Sequence, residues 1–228
     1  MISENVKNIL NNVDAARAAS YYSNQPISIL AVTKYVDADL AREVMENGIT
    51  NIAENRTELF LDKYEKLKDL DLTWHLIGSL QRRKVKDVIN LVDYFHALDS
   101  MKLAGEIEKR ATHRIKCFLE VNVSGEASKH GFQPNELQEV LPEFEKFNNI
   151  EIVGLMTMAP FTATEDECAT IFKTLKKLQV EVSNQNLKNV SCKELSMGMS
   201  RDYQIAIREG ATFVRIGHEF FKGVDLKY

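Results

Sequence analysis

The sequence predicts a single (β/α)8 TIM barrel with an additional N-terminal helix. Three observations predict it: eight short apolar runs rich in β-branched residues, an amphipathic stretch after each of the first seven, and no glycine-rich loop after the first run. Continuous apolar strands suit a parallel sheet whose outer face is covered by helices, and eight repeats imply closure. The alternative, an open doubly wound sheet, places a glycine-rich phosphate loop after its first strand. Here that position reads "TKYVDAD". No Pro/Gly-rich linker or charge block divides the chain, so one domain over residues 1–228 is expected.

The elements follow in order. In "MISENVKNILNNVDAARAA" the residues Ile2, Val6, Ile9, Leu10, Val13 and Ala16 recur every three or four positions, giving a helix with one apolar stripe. "ISILAVTK" at 27–34 is the first strand, and "DADLAREVMENG" has the acidic start and glycine stop of a helix. "TNIAEN" at 50–55 and "LTWHLIG" at 72–78 are the next strands, followed by helical stretches near 56–68 and 80–90. Further strands are expected at 92–99, 115–123 and 150–158, each with a helix behind it. "CKELSMG" at 192–198 leads into a helix opened by Ser200, and "ATFVRIG" at 211–217 is the eighth strand.

Bulk properties narrow the function. A net charge of -4 with both signs interspersed argues against a protein held by nucleic-acid phosphates or an anionic membrane surface. The run "RRKVK" at 82–86 lies beside Val85 and Val88 at helical spacing and reads as a solvated face. Cys117, Cys168 and Cys192 are odd in number and widely spaced, which suits a reducing, cytoplasmic setting and neither a zinc site nor a disulfide framework. His96 and His113 lack metal-ligand spacing. Neither a secretion signal nor an apolar run long enough to span a bilayer is visible.

In a barrel of this kind the site lies where the C-terminal strand ends converge. Lys34, Asn55, His75, Asn122, Met156, Thr157, the turn "SMGMS" at 196–200 and Gly217 all fall at such ends. Ser200 is expected at an N-cap with Asp202 in the first helical turn, a setting for an anion or simply a capped helix. Arg215 stands inside an apolar strand and needs an acceptor, either a carboxylate such as Glu120 or Glu194, or a ligand.

At these positions the chain resembles the pyridoxal phosphate homeostasis proteins, which are related to the barrel domain of alanine racemase. The resemblance runs from about residue 27 to 223 and rests on "AVTKY" at 31–35, "AEN" at 53–55, "WHLIGSLQRRK" at 74–84, "NVSGEASKHGF" at 122–132, "GLMTM" at 154–158 and "LSMGMSRDYQIAIREGATFVRIG" at 195–217. It implies that Lys34 forms a Schiff base with pyridoxal 5'-phosphate (PLP), that Ser200, the backbone around Met199 and Gly217 hold the phosphate, and that Arg215 approaches the pyridine nitrogen. Asn55 and His75 are weighed as contacts to the ring substituents or pocket wall, with His75 equally readable as a satisfied histidine beside Trp74. Met156 either packs on the ring or is plain core.

Arg215 bears on the reaction, because a guanidinium can only donate and so disfavours a protonated ring nitrogen, weakening the cofactor as an electron sink. A racemase also needs a second base, which the resembled racemases supply from a C-terminal β domain, and only eleven residues follow Gly217. The expected function is therefore a non-catalytic PLP carrier or buffer serving apoenzymes, as monomer or homodimer. The alternative is an amino-acid racemase using Tyr35, His75 or His218. After "RIG" the family continues with a small residue such as Thr, whereas this chain has "HEFFKG" at 218–223, so His218 replaces a hydroxyl contact or the loop turns outward. Lys129 and His130 are expected in a loop that admits ligand.

Overall fold

The computed structural model describes residues 1–126 and 130–226. Helix α1 (Ile2–Ala18) precedes strand β1 (Ser28–Val32), and the alternation then runs α2 (Ala38–Glu46), β2 (Asn51–Glu54), α3 (Thr57–Leu67), β3 (Thr73–Leu76), α4 (Val85–Val88), β4 (Tyr94–Leu98) and α5 (Met101–Arg110). It continues through β5 (Ile115–Glu120), α6 (Leu137–Val140), β6 (Ile150–Met156), α7 (Glu165–Ser183), β7 (Val190–Met199), α8 (Tyr203–Arg208) and β8 (Phe213–Ile216). The eight strands form a closed parallel barrel, sealed where Ser28 pairs with Phe213 and Leu30 with Arg215.

Helix starts are set by short polar side chains. Asp37 accepts from the Leu40 amide at 3.0 Å, Ser100 accepts from the Leu103 amide at 3.2 Å, and Thr164 with Glu167 closes a reciprocal capping box on α7. Helix α1 buries Ile2, Val6, Ile9, Val13 and Ala16, while Leu10, expected in that stripe, is 40% exposed. The stripe is narrower than the spacing predicts. The Asn5 amide clamps the chain end to α1 by donating to the Phe220 and Lys222 carbonyls, both at 3.0 Å.

The barrel interior is aromatic and partly polar. His75 stacks on Tyr94, His96 stacks on Phe118, and Phe213 meets Phe118 edge-on at 5.1 Å between ring centroids. Because strand side chains alternate, His75, Tyr94, His96, Phe118, Ser196 and Phe213 share the inner face while their neighbours face the helices. Beyond β5 the helical layer is thin, with α6 a single turn flanked by 3-10 segments.

Close approach requires glycine at several positions, Gly78 and Gly198 among them. At Gly78 a Cβ would lie 2.0 Å from the Asn55 carbonyl oxygen, so only glycine lets the chain leaving β3 press against the end of β2. Gly198 has φ +95°, and a Cβ there would lie 2.6 Å from the Ala206 Cβ, which ties the end of β7 to α8.

Candidate functional site

The strand ends enclose a cavity of about 480 Å³ at the C-terminal mouth, within the roughly 300–1,000 Å³ of small-molecule pockets. Lys34 enters from beyond β1, Asn55 from beyond β2, Gly78 and Ser79 from beyond β3, Glu120 from β5, Met199 and Ser200 from the end of β7, and Arg215 and Gly217 from β8. The Lys34 ammonium lies over the ring of Tyr35, 4.7 Å from its centroid. Phe161 and Arg201 form the rim: the Arg201 guanidinium covers the Phe161 ring at 5.0 Å and donates to the Pro160 carbonyl at 2.8 Å.

Beneath Lys34 and Asn55 lies a buried ion pair. Glu54 Oε1 accepts from the Lys63 ammonium and the Thr33 hydroxyl, each at 2.6 Å. Thr33 and Glu54 immediately precede the two pocket residues, so this contact fixes both strand ends. The other carboxylate oxygen, Glu54 Oε2, is buried without a partner.

Arg215 is 4% exposed, and its acceptors are neither Glu120 nor Glu194. One guanidinium nitrogen, Nη1, donates to the Ser196 hydroxyl at 2.6 Å and the Ser196 carbonyl at 3.2 Å; the other, Nη2, donates to the Thr157 carbonyl at 3.1 Å. Among the described residues no carboxylate lies within ion-pair distance of it. Burial lowers its pKa to about 10, against the fields of Asp202 and Glu120, which raise it. Glu120 is itself held above the usual carboxylate range, first by burial and then by Asp99.

The turn after β7 differs from its expected form. Ser200 is not the helix cap: α8 begins at Tyr203, the cap position is Asp202, and Asp202 Oδ1 accepts from the Met199 amide at 2.7 Å. That carboxylate closes the turn, so the helix starts two residues late. Ser200 instead bridges two strand ends, its hydroxyl oxygen accepting from the Gly217 amide at 3.2 Å while its own hydrogen remains to be donated. With only six residues in α8 and an acidic cap, an anion here would rest on the Ser200 hydroxyl and the basic side chains rather than on a helix dipole.

Lys34, Asn55, Met199, Ser200, Arg215 and Gly217 thus line one cavity; His75 and Met156 do not. Both stand one inward-facing layer too deep. The chain leaving β3 reaches the mouth at Ile77 and Gly78, two residues after His75, and Met158, two after Met156, lines the pocket instead. His75 is wholly buried with Nε2 2.9 Å from Asn51 Oδ1 and Nδ1 2.9 Å from His96 Nε2, and burial lowers its pKa to about 3. His218 lines the pocket, and the 3-10 turn it opens buries Phe220 and Phe221, so the final loop does not turn outward. Lys129 lies outside the described residues, and His130 Nδ1 is 3.9 Å from Asp99. In "RRKVK", Lys84 pairs with Glu58 while Val85 and Val88 are buried, as a solvated face requires. The Glu54–Lys63 pair and the role of Ser196 were missed, although a glutamate at the end of an apolar strand was a signal of the same kind as Arg215.

The barrel is of the class defined by the alanine racemase N-terminal domain, whose family model matches residues 5–223. Within that grouping the chain belongs to the pyridoxal phosphate homeostasis protein family. A protein of that name from Aquifex aeolicus is 38% identical over 221 residues, covering 96% of each chain. The solved structure of PipY from Synechococcus elongatus PCC7942 with PLP bound has 31% identity and a TM-score of 0.84, covering 97% of this chain and all of that one. Alanine racemase of Clostridium difficile 630, at 17% identity and a TM-score of 0.71, shares the fold and is covered over 56% of its length. Among the described residues no helix is long and apolar enough to cross a membrane.

Proposed function

We propose that this protein binds PLP at the barrel mouth, links it covalently to Lys34, and serves intracellular PLP homeostasis as a carrier or buffer that hands the cofactor to apoenzymes. The observation that carries the reading is the convergence of Lys34, Ser200 and Arg215 on one cavity that also contains an unsatisfied acceptor. Asn55 Oδ1 is buried with no hydrogen-bond partner, a costly state that a ligand hydroxyl would relieve. The donor set fits the group: an amine for the aldehyde, a hydroxyl with neighbouring backbone for the phosphate, and a guanidinium for a ring nitrogen that accepts.

When bound, PLP supplies an aldehyde that condenses with an amine, forming a carbon–nitrogen double bond and releasing water, and a ring that withdraws electrons. Lys34 provides the amine. Ser200 donates its hydroxyl hydrogen to the phosphate while Gly217 keeps the oxygen oriented. Arg215, a donor only, favours a ring nitrogen that stays unprotonated, which supports holding the cofactor over using it. The three buried, unpaired cysteines support a reducing, intracellular setting.

The test is the absorption spectrum of the purified protein with PLP, before and after borohydride, with the modified peptide identified. A visible band that is absent in Lys34→Ala, with the reduced adduct on Lys34, is expected; a band unchanged in that variant refutes the assignment. An amino-acid racemase is the second reading, favoured only by Tyr35 and His218 at the pocket, since His75 is engaged at both nitrogens. Solvent deuterium appearing at the α-carbon of alanine at catalytic turnover would establish that reading and overturn the carrier.

A further inference from the structure

A continuous polar chain crosses the barrel interior from its mouth to its floor. Arg215 Nη1 lies 2.6 Å from Ser196 Oγ, Ser196 Oγ 2.7 Å from His96 Nδ1, His96 Nε2 2.9 Å from His75 Nδ1, and His75 Nε2 2.9 Å from Asn51 Oδ1, in the first residue of β2. Ser196, His96 and His75 are fully buried, so water does not complete these contacts.

The direction of the bonds follows from the Asn51 end, whose amide oxygen faces His75. Asn51 Oδ1 only accepts, so His75 Nε2 carries a hydrogen; a neutral His75 then accepts at Nδ1, and His96 donates from Nε2. His96 Nδ1 therefore accepts, from the Ser196 hydroxyl. Arg215 only donates, so Ser196 accepts one hydrogen from the guanidinium and, with His96 Nδ1 as acceptor, gives its own to His96. The Asn51 oxygen sets this polarity, and the Arg215 end accommodates it. Reversing the chain would set His75 Nε2, as an acceptor, against the Asn51 oxygen. Burial holds both imidazoles neutral, as this polarity needs.

We infer that Ser196, His96, His75 and Asn51 are positioning residues: a one-directional hydrogen-bond chain that keeps the Ser196 oxygen turned to Arg215 and so fixes the guanidinium at the cofactor site. The titratable groups facing Arg215 are Asp202 and Glu120, and those facing His96 are the neutral His75 and the charged Arg215. Neither carboxylate pairs with Arg215, so the orientation of the guanidinium rests on Thr157, Ser196 and what stands behind Ser196. The inference rests on the PLP reading only for its consequence; the bond polarity stands without it.

Two measurements test it. In the cofactor-free wild type, 15N NMR should find His75 and His96 both as the Nε2–H tautomer; an Nδ1–H tautomer at either overturns the chain. In the PLP-loaded protein, Ser196→Ala and the distant Asn51→Leu should each weaken PLP binding roughly three- to tenfold, the scale of one lost hydrogen bond, and shift the visible band. Wild-type affinity and spectrum in Ser196→Ala refute the positioning role. A wild type with both expected tautomers but no visible band sinks the PLP reading and leaves the chain intact.

Discussion

Lys63 of α3 and Glu54 of β2 form an ion pair almost wholly removed from water, with 2.6 Å between Nζ and Oε1. Two charges leave water at considerable cost, and only a close partner with added hydrogen bonds offsets it. The Thr33 hydroxyl supplies the added bond. This arrangement holds the ends of β1 and β2 at a fixed separation, and those ends present Lys34 and Asn55.

Removing one partner strands the other. Lys63→Met should destabilise the protein by about 3–5 kcal/mol, the usual penalty for an unpaired buried charge. Denaturant melts of Lys63→Met and of the double variant Glu54→Leu/Lys63→Met check this: the double variant should recover more than half of the loss. A single variant with wild-type stability would mean that the pair adds nothing to the stability of the fold.

The two interior histidines should make the protein acid-sensitive. Both have folded pKa values below the unfolded value of about 6.5, so below that pH the unfolded chain binds more protons than the native one. Stability is therefore full above pH 6.5 and falls as pH drops toward 3, with a slope of up to ~2.7 kcal/mol per pH unit for two histidines. Thermal melts between pH 8 and pH 5 should show the loss, and the His75→Asn/His96→Phe variant should show a flatter profile.

Gly78→Ala should damage the site by displacing Asn55 while leaving every ligand-binding side chain chemically unchanged. Its Cβ would lie 2.0 Å from the Asn55 carbonyl oxygen, and backbone cannot yield as a side-chain tip can. We expect PLP affinity to fall at least about tenfold, given that small misplacements of binding groups are costly. Fluorescence titration with PLP measures it, and unchanged affinity would show that the end of β2 is free to shift.

The cysteines should be silent in the native state. Burial pushes the Cys192 thiol up to about 12 and raises Cys117 and Cys168 as well. Thiolate is the reactive form, so iodoacetamide at pH 8 should label none of the three until denaturant is added. Mass spectrometry of the treated native protein gives the answer directly.

The period of the apolar runs determined the fold by itself, since strands buried on both faces and helices with one apolar stripe leave a barrel as the arrangement that covers every strand. That Lys34, Ser200, Arg215 and Gly217 gather at the mouth was legible because each falls near the C-terminal end of an apolar run, while the roles expected of them toward PLP came from the family resemblance. Depth along the barrel was decided only by tertiary structure: His75 and Met156 sit two residues below the mouth, a distance set by strand stagger that no local pattern records. The same holds for the company each buried polar group keeps. Arg215 finds Ser196, Ser196 finds His96, and Lys63 finds Glu54, because closure of the sheet brings together residues from separate strands and helices, and a sequence states what a side chain can offer while only the fold selects what receives it.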